Sequence, residues 1–250
     1  KFTRVQSEQF ARLGVLGDFD NVYVTMAPRY EAAVLEIFAR LLEQGLVFRQ
    51  LKPVHWSIDN RTALAEAELE YHDREDESIF VLLPVVDGAD AVPHKDGDAV
   101  HLMVWTTTPW TLPANLAVAV HPKFQYAAVH AETESGPVTF VAAEELAQRI
   151  VQILAEKRPG YVKSHEVVGR LSGQQLVNAK VAYRHPLAEG AVCPVVPADY
   201  VTLEEGTGLV HTAPGHGMED YGTALKQGLD IYCPVLPDGT FDETAPDWLV

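Results

Sequence analysis

Residues 105–115 read WTTTPWTLPAN, and the interpretation of the whole chain turns on this stretch. Four threonines and two tryptophans fall within residues 105–111, between an apolar run ahead (HLMV) and another behind (LAVAV). An ordinary strand-turn-strand connection has no use for three consecutive hydroxyls framed by indoles. A pocket that must measure a small aliphatic group while binding something polar does. Pro109 disfavours helix at Thr108 and removes a backbone donor. Thr106, Thr107 and Thr108 are therefore expected on an extended segment leaving a sheet edge, with side chains on alternating faces and at least one hydroxyl turned to a cavity. Threonine is also a good strand former and tryptophan a good core residue, so an arbitrary TTT would be read as structure. Trp, Pro and Asn at these spacings weigh the other way.

Outward from this stretch, the chain after Ser78 is a series of short β-rich apolar runs separated by Gly, Pro and Asp: SIFVLLPVV, AVHLMVW, LAVAVHP, QYAAVHAE, VTFVAA, AVCPVVPADYV, GLVH and IYCPVLPDG. Residues 144–157, EELAQRIVQILAEK, form an amphipathic helical pattern, and MEDYGTALKQG predicts a second helix stopped by Gly228. Residues 87–98 read as a solvated hairpin-like loop. Before Ser78 the texture is different. Val34, Leu35, Ile37, Phe38, Leu41 and Leu42 recur at helical spacing, with Gly45 as the stop. LVFRQLKPVHW reads as extended, and RTALAEAELEY fits a helix or a strand. The expected fold is mixed α+β: a β-barrel-like domain over residues 75–237 with peripheral helices, a helical and extended lead-in over 1–74, and a return linker over 238–250.

A second segment, GTGLVHTAPGHGMEDY at 206–221, is the natural partner of the first. GTGLVH is a strand opened by small residues, which lets another chain approach closely. His211 ends it, TAPGHG turns, and Glu219 and Asp220 fall in the first turn of the following helix. A carboxylate there is favoured by the helix dipole alone. Beside a histidine and a glycine-rich turn, Asp220 is also placed to bind an ammonium group through a charge-assisted hydrogen bond.

Bulk properties bound the reading. The 250 residues carry 35 Asp+Glu against 19 Lys+Arg, a net charge of −16, and 47% hydrophobic residues. That is enough apolar material for a substantial core, but an acidic surface repels phosphate and should not grip a long duplex. Two cysteines, Cys193 and Cys233, imply no disulfide framework and fit a reducing compartment. No apolar run approaches the length of a membrane span. The start at Lys1 and the end at DWLV suggest a piece of something longer. The H-x4-H-x3-D spacing of His211, His216 and Asp220 runs around a turn rather than along one helix face, and no H-E-x-x-H signature is present, so no metal is expected. No G-x-S-x-G elbow marks a nucleophile, and GTG and GHG are too short for a nucleotide fingerprint.

Together the two segments resemble the editing (CP1) domain of isoleucyl-tRNA synthetases. WTTTPWTLPAN is similar to the threonine-rich peptide of that domain, where valyl and leucyl relatives typically carry Arg at the position of Thr108. GTGLVHTAPGHGMEDY resembles its second editing peptide. GVLGDFDNVYVTM and PVHWSIDNRTALAEAELEY resemble the region linking catalytic core to editing insertion. Many bacterial members have Cys at the positions of Ser57 and Asn60, a C-x-x-C half-site missing here, so no zinc is expected at that place. The signature motifs of class I aminoacylation are absent.

The resemblance implies hydrolysis of mischarged valyl-tRNA(Ile) with isoleucyl-tRNA(Ile) excluded. Asp220 would take the α-ammonium, and His211, Thr106 and Thr107 would act with it at the reacting ester. Thr108, Thr111, Trp110, Asn115, His216 and Gly215 would bind substrate, Asn115 either by contacting it or by bracing the loop. No general base is singled out, since His211 is either a base or a wall. Editing would need no cofactor; ATP and magnesium belong to the catalytic core outside this segment. The implied partners are the 3′ end of the tRNA and the rest of the synthetase polypeptide, in a cytoplasmic monomer with no membrane contact. The competing readings are the editing domain of another branched-chain synthetase, an insertion that has lost catalysis, and an unrelated hydrolase with a metal on His211, His216 and Asp220.

Overall fold

Alternating or continuous apolar runs form strands only where neighbours complete their hydrogen bonds, and all but the last of the runs after Ser78 do so in one sheet. A computed structural model describes residues 1–250, which fall into two units, Lys1–Gln50 and Leu51–Val250. The first unit holds α1 (Phe2–Arg12) and α2 (Pro28–Glu43). Pro28 opens α2 at a position whose N–H needs no partner. Gly45, at φ +71°, closes it, with Leu46 N–H bonded back to Leu41 O. The apolar side chains expected on one face of α2, including Leu35, Ile37, Phe38 and Leu42, are exposed, and neither helix has a buried residue.

The second unit opens with a small ladder, β1 (Trp56–Ser57) against β2 (Thr62–Ala63). RTALAEAELEY, open between helix and strand, becomes neither at length: it supplies β2 and a single 3-10 turn over Glu66–Glu68. Then follow β3 (Ile79–Asp87), β4 (Ala99–Thr106), β5 (Ala117–Val120), β6 (Gln125–Thr133), β7 (Gly136–Ala143), α3 (Glu144–Lys157), β8 (Val162–Ser172), α4 (Gly173–Asn178), β9 (Ala182–Arg184), β10 (Val192–Pro197), β11 (Leu209–Thr212) and α5 (Met218–Gln227). The nine strands from β3 onward form one sheet in the order β11-β5-β10-β9-β3-β4-β7-β6-β8. Pairings are antiparallel except β4–β7 and β5–β10.

The fold is thus mixed α+β, dominated by a large sheet with few helices. The sheet does not close into a barrel: β11 and β8 remain its two edges, although β11 also packs against β4. The core lies where β3, β4, β6 and β7 meet α3 and α4, around Leu83, Leu102, Tyr126, Phe140, Ile150 and Leu176. Burial pushes the Tyr126 phenol up to about 12, and its hydroxyl donates to Gly208 O at 2.8 Å.

Two expectations need correction. IYCPVLPDG contributes only an isolated bridge, Val235 to Phe241, because its prolines remove ladder donors. The loop after β3 is not wholly solvated. Val92 is buried, and Pro93 lies where a Cβ on Gly169 would come within 2.3 Å of it. Strand β8 escapes the apolar-run reading because it is an edge strand, and most of its residues face water.

Candidate functional site

Thr106 ends β4, and β4 lies in the interior of the sheet between β3 and β7. The threonines therefore leave the sheet from the end of a central strand and not from an edge. Pro109 then starts a 3-10 helix over Pro109–Ala114 rather than letting the extended chain continue. The turn is held by its own side chains. Thr106 Oγ1 accepts from Thr108 N at 3.0 Å and lies 3.2 Å from Thr108 Oγ1. Thr111 Oγ1 donates to Thr108 O at 2.8 Å. Thr106 and Thr111 are buried, whereas Thr107, Thr108 and Trp110 are exposed.

Strand β5 follows the turn directly and pairs antiparallel with β11, His211 opposite Val118 and Thr212 opposite Ala117. Leu116 N donates to Thr212 O at 3.0 Å. This register brings Asn115 alongside His211. The approach of β11 depends on its small residues. Gly206 packs on the Trp105 ring. Gly208, at φ +73°, has Ala143 where a Cβ would sit, 2.4 Å from that side chain.

The result is a buried chain of polar groups. His211 Nε2 lies 2.9 Å from Thr111 Oγ1, and His211 Nδ1 lies 2.7 Å from Asn115 Nδ2. Asn115 Nδ2 also donates to Ala117 O at 3.0 Å, and its Oδ1 accepts from Tyr183 OH. Burial, reinforced by His185 and His216, pushes His211 down to about 4 from the ordinary 6.5, so the ring is neutral at pH 7.

Asp220 lies beyond the TAPGHG turn. Its Oδ2 accepts from Ala213 N at 2.9 Å and its Oδ1 from Tyr200 OH at 2.8 Å. Burial pushes this carboxyl above its usual range despite those two bonds. A carboxylate offers about four lone-pair sites, so two remain for a ligand. His216 stands edge-on to Trp110 with ring centroids 5.3 Å apart, and its Nε2 is buried without a hydrogen-bond partner. Gly215 is set by packing: a Cβ there would lie 2.3 Å from Tyr232 O.

The sequence-predicted residues thus sort by position. Thr111, Asn115 and His211 are joined by direct hydrogen bonds, Thr106 is tied to Thr108, and Trp110 meets His216. Asp220 shares no direct hydrogen bond with those side chains and is tied to the same strand end through the Ala213 amide. Trp110, 53% exposed, is not core. Tyr183, Tyr200 and His185 were not foreseen. They sit in short, unremarkable runs (VAYRH, PADY), and nothing local marks them as partners of residues far along the chain. Ser57 Oγ accepts from Asn60 N and Nδ2, so the residues at the missing cysteine positions bond one another.

Residues 1–172 match the family of class I tRNA synthetases (I, L, M and V). The chain is 50% identical over 245 residues to an isoleucine–tRNA ligase of Carboxydothermus hydrogenoformans, covering 98% of this chain and 24% of that protein. It is 40% identical over 245 residues to the isoleucine–tRNA ligase of Natranaerobius thermophilus, covering 98% and 25%. It is 44% identical over 246 residues to that of Desulfotalea psychrophila, covering 98% and 25%. The chain spans about a quarter of the length of these relatives. Among solved structures, the GlLeuRS-CP1 crystal structure aligns at TM-score 0.47 with 20% identity, covering 62% of this chain and 66% of that one. The P. falciparum cytosolic leucyl-tRNA synthetase editing domain aligns at 0.46 with 12% identity, covering 59% and 64%.

Proposed function

This chain belongs to the class I tRNA synthetase family, and from that premise we propose that it is the editing module of an isoleucine–tRNA ligase, hydrolysing valyl-tRNA(Ile) and sparing isoleucyl-tRNA(Ile). The observation that carries this reading is the meeting of two distant segments. The threonine turn and the His211–Asp220 segment join through the Thr111–His211–Asn115 hydrogen bonds, with the Asp220 carboxylate held at the adjoining turn. Isoleucyl-tRNA synthetases are the reference case for the selectivity limit involved: one methylene is worth only about 1–3 kcal/mol in a hydrophobic pocket, so a second, smaller site must remove what the first admits.

In this reading Asp220 holds the α-ammonium with its free lone pairs, fixed by Tyr200 and the Ala213 amide. The exposed Thr107 and Thr108 hydroxyls face the ester and its attacking water, with Thr106 and Thr111 bracing them from beneath. The water oxygen bonds to the ester carbonyl carbon. The bond to the ribose oxygen breaks, and the water's proton ends on that oxygen. The ester is already activated, so placing water and stabilising the oxyanion supply much of the rate. His211 has both ring nitrogens committed and stays neutral, which suits a wall and not a general base. The acidic surface fits a module that meets only the tRNA terminus, and the apolar face of α2 fits packing against the rest of a synthetase polypeptide.

The test is deacylation of the two aminoacyl-tRNAs by this chain and by Thr108→Arg. Hydrolysis of valyl ester with isoleucyl ester spared supports the proposal, and equal hydrolysis of both contradicts it. Discrimination that survives Thr108→Arg removes that residue from the sieve.

A further inference from the structure

The hydrogens of the buried chain can be placed one by one. Thr111 Oγ1 gives its only hydrogen to Thr108 O, an obligate acceptor, so it must accept from His211 Nε2. At the other end, Asn115 Nδ2 faces Ala117 O, also an obligate acceptor, so that side of the amide is the NH2. It then donates to His211 Nδ1, which carries no hydrogen. Both ends demand the same ring: neutral, with its hydrogen on Nε2. The amide is oriented in turn by β9. Tyr183, fully buried, has its hydroxyl on Asn115 Oδ1. Two residues on, His185 accepts at Nδ1 from Leu187 N and Ala188 N and turns its other edge to the Asn115 backbone carbonyl.

We propose that Tyr183 is a positioning residue for the editing site: by donating to Asn115 Oδ1 it fixes the amide that gives its hydrogen to His211 Nδ1, and so holds His211 as a neutral wall braced on Thr111. This rests on the editing reading for its functional consequence, but not for the tautomer. Tyr183 suits the task because burial pushes its phenol well above the ordinary range, so it is a donor at every working pH. Without it, Oδ1 is left buried and unpaired, and the amide is held through Nδ2 alone, by Ala117 O and the His211 ring it is meant to position. The His211 ring then loses its fixed plane, and the pocket wall loosens towards the larger substrate.

The test combines [15N]histidine NMR of this chain, assigned with His211→Gln, and deacylation kinetics of Tyr183→Phe. In the wild type at pH 7, His211 should show a protonated Nε2 and a bare Nδ1, unchanged down to pH 5.5. A protonated Nδ1 there overturns the proposal, whether or not any variant folds. In Tyr183→Phe the two nitrogen shifts should move towards averaging. The kcat/KM ratio for valyl- over isoleucyl-tRNA(Ile) should fall about tenfold, the effect of one lost bond of ordinary strength. A structural role alone would lower both substrates equally; an unchanged ratio with unchanged shifts overturns the proposal. Failure of the wild type to hydrolyse either ester removes the editing reading, and the NMR arm still decides the tautomer.

Discussion

Thr111 and His211, 100 residues apart, share a buried hydrogen bond of 2.9 Å, and that bond joins a 3-10 turn leaving the centre of a sheet to a strand at its edge. Because the ring is also bonded to Asn115, His211 has no nitrogen to spare, and its burial fixes it in the neutral form.

The neutral ring makes stability depend on pH. The unfolded chain takes up a proton at His211 near 6.5, whereas the folded chain resists until about 4. Stability from this group is therefore intact above pH 6.5 and falls as pH drops towards 4, by about 3 kcal/mol in all. Urea unfolding between pH 4 and 8 should show this loss, and His211→Gln should flatten the curve.

Asp220 titrates with the opposite sign. Its folded value is raised by burial, so the ionised form works against folding at pH 7, and the folded state gains as pH falls through that value towards the ordinary 3.8. Asp220→Asn should melt no lower than the wild type at pH 7, with its relative advantage shrinking at pH 4. A melting temperature well below wild type at pH 7 would contradict this.

The approach of β11 to the rest of the sheet rests on glycine. Gly208→Ala places a methyl 2.4 Å from the Ala143 side chain at φ +73° and should cost more than about 2 kcal/mol. Gly97→Ala, at φ +88° but with open space around it, should cost about 1 kcal/mol. Thermal unfolding of the pair separates backbone strain from collision.

Away from the site, buried Asp98 accepts from Thr139 Oγ1 and from His130 Nδ1 at 2.7 Å. Burial works against its charge, but these bonds outweigh it and hold the carboxyl below its usual range. Thr139→Val should cost about 1–2 kcal/mol in unfolding experiments and leave the deacylation ratio unchanged.

Strands and helices with a strong period were legible in the sequence: EELAQRIVQILAEK is α3 residue for residue, and MEDYGTALKQ is α5. So was the pairing of WTTTPWTLPAN with GTGLVHTAPGHGMEDY, because glycine, proline and clustered hydroxyls leave local marks. The path between them was not legible. Apolar runs occur in interior strands and in edge strand β11 alike, so the place of β4 in the sheet could not be read from its own residues, and edge strand β8, polar on most of its length, left no apolar signal. Nor can composition show that the Asn115 amide is spent on Ala117, His211 and Tyr183, or that Tyr200 steadies Asp220. Those contacts exist only because β9, β10 and β11 are stacked out of chain order, and long-range stacking leaves no periodicity to read.

The proposed contact between Asp220 and the ammonium group of a valyl ester is tested by the hydrolysis rate of valyl-tRNA(Ile) by Asp220→Ala beside the wild type. Losing a charge-assisted bond should cut kcat/KM by about a hundredfold while the fold, followed by circular dichroism, stays intact. Wild-type hydrolysis of valyl-tRNA(Ile) by a folded Asp220→Ala chain would contradict it.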